Sequence, residues 1–400
     1  ENVDPYASTT QSTNLRVIES ALNPAYKAKN DTIEFNADYA LSPALTITSQ
    51  TGFNHDFLWS TEDYNRFNTS PGLFIPSDQM SFGSKPDVID ANGVFCDPQL
   101  GCADRLVAED MSQEHAWQFN QEIRLATNFS GPLNFSAGGN YLHYETEENY
   151  YVFFNTLSLY TLEEGSAGGA NAALEGIPYV PGVTDNHQCL TGTNTKSGYR
   201  YPNPSEGGGI PTETCIYMDP NPITSLNNQG HNYFLSQNPY TLNSYAAFGE
   251  MNYKVLDDLK LTAGVRYTAD RKHFTDIPSE LIAQGYGYPS TGVVDQSWDQ
   301  LTGRAVANWT PKLNFTDQTL VYGSYAHGYK AGGANPPGAV LLTYADVGTV
   351  GNPVHPLTFK PEFIDAFELG TKNTLLDGAL TINGDVFYYN YENYQISRIV

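Results

Sequence analysis

Hydrophobic and polar residues alternate along much of this chain with a period of two. In the stretch NYKVLDDLKLTAGVRYTADRKHF, Leu259, Leu261, Ala263, Val265 and Tyr267 fall on one side, while Lys260, Thr262, Gly264, Arg266 and Thr268 fall on the other. That pattern marks a β-strand with one apolar and one polar face. Five strand pairs with short joins are predicted in the same way. DTIEFNADYAL meets LTITSQTGFNHDFLW at Ser42-Pro43-Ala44, and AWQFNQEIRLATN meets LNFSAGGNYLHYETEENYYVFF at Phe129-Ser130-Gly131-Pro132. LNSYAAFGEMNYKV meets LKLTAGVRYTADRKHF at Leu256-Asp257-Asp258, and DQLTGRAVANWTPKLNFT meets TLVYGSYAHGYK around Asp317-Gln318. FIDAFELGTKN meets ALTINGDVFYYNYENYQI between Thr374 and Gly378. The joins are built from Gly, Pro, Asp, Asn and Ser, the residues that turn a chain.

Between the pairs the predicted connections are long, at about 62–115, 157–239, 275–297 and 331–357. A short–long–short–long rhythm is unusual in a sandwich and routine in transmembrane barrels, which have short periplasmic turns and long outer loops. Arms such as Lys260–Phe274 and Leu133–Phe154 also exceed the usual strand of five or six residues. The expected fold class is therefore all-β: part of an antiparallel transmembrane β-barrel with its apolar stripes facing lipid. On the assigned registers Glu34, Asp38, Glu122, Arg124, Glu250, Arg266, Asp270, Arg304, Glu368, Lys372 and Asp385 fall opposite the apolar stripe. They are expected to face a wet lumen where charges of both signs pair. A soluble sheet with a solvated outer face gives the same periodicity, so a soluble binding or adhesion module remains open, as does a passive porin.

Composition narrows the field. Mean hydropathy is −0.40, and no apolar run is long enough for a membrane-spanning helix, but a spanning strand needs only about ten alternating residues. The 28 tyrosines suit a membrane–water boundary, where the ring is buried and the hydroxyl stays wet. A net charge of −24 with only 20 Lys and Arg argues against nucleic acid as a partner, and an acidic surface that serves solubility alone is the plain reading. Ten acidic residues lie between Glu62 and Glu114 against Arg66, Lys85 and Arg105. This acidity would repel a bare anionic chelate and suits a neutral or cationic ligand; a hydrated loop without a ligand is the plain alternative.

Candidate chemistry is sparse. Cys96 and Cys102, and Cys189 and Cys215, fall as two pairs within the long connections. Disulfides within each connection are favoured over a zinc site, because no C-x-x-C spacing occurs. His55, His115, His143, His187, His231, His273, His327 and His355 are scattered singly without ligand spacing; His231 and His355 would be the candidates for contact with haem. Neither G-x-S-x-G nor another nucleophile constellation is found, so no enzyme and no cofactor are expected. Tyr150, Tyr151, Phe153 and Phe154 read as part of an outer aromatic girdle or as a ligand-stacking cluster.

Three stretches carry a resemblance. FNQEIRLATNFSGPLNFSAGGNYLHYETEE (Phe119 to Glu148), LVYGSYAHGYKAGGANPP (Leu320 to Pro337) and FKPEFIDAFELGTKNTLLDGALTINGDVFYYNYENYQ (Phe359 to Gln395) resemble barrel hairpins of TonB-dependent outer-membrane receptors. Within them Glu368 and Lys372 share the polar face, and Gly332, Gly333, Pro336 and Pro337 mark a strand's exit into a loop. The resemblance implies a barrel of about 22 strands plugged by an N-terminal domain. It also implies a location in the outer membrane, in contact with its lipid. The activity implied is TonB-coupled import of a ferric siderophore, cobalamin, haem or saccharide. About half of those strands are expected here. A plug, an energy-coupling box and a terminal aromatic residue are not found, and both ends read as cut.

Overall fold

The computed structural model describes residues 14–18, 20–65, 68–76, 79, 89–159, 190–192, 195–197, 219, 221–226, 228, 232–277, 280–281, 283–284, 292–335 and 358–396. Ten long strands follow one another as neighbours in a single antiparallel sheet. They are β1 (Ala25–Ser42), β2 (Leu45–Asp63), β3 (Ala108–Thr127), β4 (Leu133–Phe154) and β5 (Tyr233–Leu256), then β6 (Leu259–Asp276), β7 (Gly292–Trp309), β8 (Gln318–Lys330), β9 (Glu362–Leu375) and β10 (Leu380–Glu392). Two short strands, Glu280–Leu281 and Ala283–Gln284, sit off this path beside β5. The only α-helix among the described residues is one turn at 155–159.

The predicted alternation holds on every strand. Directly opposed residues in an antiparallel pair share a face, so the registers can be followed across the sheet. Leu261 stands opposite Tyr253 and Ala307, Ala307 opposite Gly323, and Gly323 opposite Leu369. These apolar side chains are not covered by a second sheet: Leu261 is 42% and Val265 60% exposed. Exposed Leu and Val in a continuous band are what a wall turned toward hydrocarbon requires.

The short links form one rim, and the turns are laced to one another. The Asn128 amide donates to Ala44, Lys254 to Pro132, Thr310 to Asp258 and Asp317 to Thr374. The Trp309 indole donates to Asp258 at 3.1 Å. At the last turn Leu376, Asp377 and Gly378 all take positive φ, which Asp and Gly tolerate better than Leu. One join differs from expectation. The tight turn at Asp317-Gln318 is the end of a longer connection, 310–317, because β7 stops at Trp309 before Pro311, which has no N–H for a ladder.

The strands also run further from this rim than predicted. The ladder between β2 and β3 continues to Asp63–Glu109, and β5 begins at Tyr233, so the connections are 64–107 and 155–232. Gln113, Glu114 and Ser112 carry no apolar alternation, so the sequence gives no signal for a strand that projects into water.

On the apolar face the change from apolar to polar residues is not level in register. It lies at Tyr388/Asn390 on β10, Phe367/Asp365 on β9 and Tyr325/His327 on β8, which are paired residues. It then moves to Leu301/Asp299 on β7, Tyr245/Asn243 on β5, Tyr141/His143 on β4 and Trp117/His115 on β3. The boundary climbs ten residues over the seven crossings from β10 to β3, about one and a half for each strand crossed.

Above that boundary β3, β4 and β5 enter a second environment. Met111, Tyr151, Phe153, Tyr233 and Leu235 form a buried cluster, with Trp59, Leu100, Ile223 and Leu226 against it. Phe74, Ile89 and Phe95 form another. Tyr151 and Phe153 are therefore the core of a loop subdomain and not a girdle; Tyr150 and Phe154 lie on the opposite, polar face.

Candidate functional site

All eleven charged residues singled out in the sequence share one face. Glu34 opposes Gly52 and Asp38 opposes Thr48. Glu122 and Arg124 oppose Gln50 and Thr48, and Glu250 opposes Ser136. Arg266, Asp270 and Arg304 follow through β6 and β7, and Glu368, Lys372 and Asp385 through β9 and β10. Part of the expected pairing is present. The Arg304 guanidinium reaches the Glu250 carboxylate across β6, with Nε at 2.9 Å. Gly264 stands between them in the same row, and a Cβ there would approach the Glu250 carboxylate at 3.3 Å. Absence of a side chain opens that path.

Elsewhere on this face carboxylates are held by hydroxyls. Tyr322 donates to Glu368, with Lys372 over the Tyr322 ring at 5.7 Å. Thr48 donates to Asp38, Tyr150 donates to Asp110 at 3.2 Å, and Thr146 donates to Glu114 at 3.2 Å. Arg266 lies over the Phe248 ring at 5.8 Å. The result is a continuous wet surface of fixed charges and phenols. It suits successive weak contacts with a polar solute, since the carboxylates just named already have a partner to return to. Among the described residues no group of three or more His, Cys, Asp or Glu is placed to hold a metal ion.

The residues that close this face near its far end were not singled out beforehand. β7 and β8 pair only from Gly303–His327 to Trp309–Val321, and beyond Lys330 the chain turns across the polar face. Lys272 Nζ donates to the Gly332 carbonyl at 2.6 Å and Gln296 donates to that of Gly333 at 3.1 Å. The Tyr329 hydroxyl donates to Asp270. A Cβ on Gly332 would lie 2.6 Å from the Trp298 ring and 2.3 Å from the Phe359 carbonyl, which accounts for the Gly-Gly pair at this strand exit. The signal was the motif itself; its partners lie on distant strands. Pro336, Pro337 and the remainder of that connection as far as 357 fall outside the described residues.

The loop subdomain joins the two longest connections. Gln99 Nε2 donates to the carbonyls of Asp219 and Asn221, Asn232 donates to Gln99 and Ser158, and Tyr233 donates to Asp219 at 3.0 Å. Cys96 and Cys102 are disulfide-bonded across the Phe95–Asp97/Gly101–Ala103 hairpin, which removes that pair from any zinc set. Asp97 accepts from the Gln99 and Leu100 amides at 2.7 and 2.8 Å, and burial pushes its carboxyl up despite those bonds. Asp90 accepts from the Asn92 and Val94 amides, and Asp63 accepts from Ser20 and Ala21. Part of the acidity between Glu62 and Glu114 thus caps turns. Cys189, Cys215, His187, His231 and His355 lie outside the described residues.

Comparison with known proteins gives this sheet its context. The family profile described as TonB dependent receptor-like, beta-barrel matches residues 2–400. No curated protein matches. Among solved structures, the chain is similar to the ferric yersiniabactin uptake receptor FyuA from Yersinia pestis. That match has 13% identity and a TM-score of 0.50, covering 93% of this chain and 37% of that one. It also matches the siderophore receptor PiuA from Acinetobacter baumannii at 15% identity and a TM-score of 0.46, over 90% of this chain and 40% of that one. The ferric-catecholate import receptor Fiu from E. coli K12 matches at 13% identity and a TM-score of 0.48, over 94% and 42%. The chain thus spans about two fifths of the length of these structures. An open ten-strand meander, apolar and exposed on one side and charged on the other, is what a section of such a wall looks like, and the chain belongs to the TonB-dependent receptor β-barrel family.

Proposed function

We propose that this chain is the wall section of an outer-membrane receptor that binds a scarce nutrient outside the cell and imports it by TonB-coupled active transport. Its polar face, with Glu34, Asp38, Glu122, Arg124, Glu250, Arg266, Asp270, Arg304, Glu368, Lys372 and Asp385, lines the lumen. Its apolar face meets outer-membrane lipid. The observation that carries this reading is the family match over residues 2–400, on a sheet whose apolar band is exposed. Coupling to the TonB complex runs through parts of the receptor beyond this barrel section. The cargo belongs to the class of ferric siderophores, cobalamin, haem or saccharides; the phenol- and carboxylate-rich lumen favours a neutral or cationic, hydrogen-bonding solute.

The test is uptake by cells carrying or lacking the full-length gene, with labelled ferric chelates, cobalamin, haem and maltodextrin supplied one at a time under limitation. Loss of uptake of one of these in the deletion, restored by the gene and abolished when the proton gradient is collapsed, is expected. Unchanged uptake of all four, or uptake indifferent to the gradient, would count against active import.

A further inference from the structure

The polar face changes character on the ends of β2 to β5 that project past the apolar band. These four strands carry only two basic residues, Arg124 and Lys254, and both lie toward the short-turn rim. Beyond them the same face holds Asp56, Asp110, Glu114 and Glu148. Glu114 stands directly opposite Glu148, and Asn238 stands opposite Glu148 on its other side. Like charges in directly opposed positions repel. Glu114 accepts from Thr146 at 3.2 Å, whereas no donor among the described residues reaches Glu148; burial and the Glu114 charge push its carboxyl up. Asn238 gives its Nδ2 to Ser236 at 3.5 Å, and its Oδ1 is buried with no donor among the described residues. Across three strands the row thus presents acceptors that nothing answers.

Aromatic rings flank this row on both sides along the strands. Tyr144 and Tyr240 lie toward the rim, with ring centroids 6.2 Å apart, and Tyr150 and Phe234 lie beyond the row at 6.4 Å. Lys272 illustrates what such a ring accepts: its ammonium is 6.0 Å from the Tyr240 centroid. That ammonium is given to the Gly332 carbonyl at 2.6 Å, so it does not answer the row. Two carboxylates and an amide oxygen call for donors, and the rings call for a cation on an apolar body. A primary ammonium meets both demands, since it has three donors and no acceptor. A hard metal ion would exchange its water for six or more oxygens, about twice what the row supplies, and would gain nothing from the rings.

We propose that the Glu114–Glu148–Asn238 row and its flanking rings form a subsite for a primary ammonium carried on a ring-bearing or aliphatic part of the imported solute. This rests on the reading of the polar face as the lumen of an importer, and it narrows the cargo to solutes with a cationic arm.

The test measures binding to the full-length receptor in lipid nanodiscs by saturation-transfer NMR, with tyramine as the probe and tyrosol, its neutral counterpart with a hydroxyl in place of the ammonium, as the reference. Tyramine should bind about tenfold more tightly than tyrosol, the scale of one charge-assisted hydrogen bond. Glu148→Gln, at an exposed position relieved of a like charge, should fold normally and remove most of that preference. Glu147→Gln, next along the strand but on the opposite face, should leave it unchanged. Equal binding of the two probes would overturn the proposal. So would equal loss in both variants, which would reduce the effect to general acidity, or displacement of tyramine by millimolar calcium that sodium chloride of the same ionic strength does not reproduce, which would make the row a metal site. Gradient-driven uptake by intact cells, measured alongside, separates the two readings: uptake retained without a tyramine preference removes this subsite alone, and uptake absent removes the importer itself.

Discussion

The outward face of β4 holds two populations of large apolar side chains on one alternation. Leu133 and Phe135, near the short-turn rim, are 43% and 42% exposed. Tyr151 and Phe153, at the far end, are 2% and 1% exposed, covered by Tyr233, Leu235 and the connections around Leu100, Ile223 and Leu226. The strand is the same, the period is the same, and the medium differs. The lower set needs hydrocarbon around it. The upper set carries its own protein core into water, and periodicity cannot tell the two apart.

Substitutions can break that contrast. The largest effect is expected from Phe153→Ala, which leaves a cavity in the upper cluster and should cost the loop subdomain about 3–5 kcal/mol. Protease cutting within 64–107 in otherwise intact outer membranes would report it, and no change in cutting would mean the cluster is not a core. Next comes Val265→Arg on the lower band, at about 2–4 kcal/mol near the bilayer midplane. Asn36→Arg, exposed on the polar face between Glu34 and Asp38, should stay within about 0.5 kcal/mol. Equal damage from both, measured by chemical unfolding in lipid vesicles, would reverse the assignment of faces. Polar-face position alone does not guarantee tolerance. Thr262 is only 7% exposed and donates to Asn252 at 2.8 Å, so Thr262→Arg should cost about 1–3 kcal/mol through overpacking.

Replacing Cys96 and Cys102 together by Ser should cost the upper region about 2 kcal/mol at most, because Asp97 and Gln99 hold the same hairpin. The Asp97 carboxyl is raised in the folded state, so the hairpin gains stability as pH falls through that raised value toward the ordinary carboxylate range. Hydrogen exchange at the Gln99 and Leu100 amides should slow correspondingly, and Asp97→Asn should remove that dependence. Glu250→Gln should likewise have a small effect, changing stability by less than about 1 kcal/mol, since its Arg304 partner is largely solvated.

The contrast also explains what was legible beforehand. Leu261, Ala263, Val265 and Tyr267 announced a strand because every second residue repeats one chemistry, and the face of Glu250, Arg266 and Arg304 followed from the same count. The projecting ends of β2 and β3 did not announce themselves, because Ser112, Gln113 and Glu114 are polar on both sides. Tyr151 and Phe153 were visible as aromatics, yet their cover comes from Tyr233 and Ile223, far along the chain. The packing of Gly332 against Trp298 and its bond to Lys272 were hidden for the same reason. The histidines looked scattered because each belongs to a different strand, and only the registers show that the five described ones share the outward face.

The stepped boundary on the outward face has a geometric meaning. An advance of ten residues over seven crossings, at about 3.3 Å per residue and about 4.8 Å per strand, is a slope of roughly 45°, at the upper end of the lean of strands in a closed wall. The waterline therefore cuts each strand at its own residue number, near 389 on β10 but near 116 on β3. Two side chains equally far from their hairpins can lie one in oil and the other in brine.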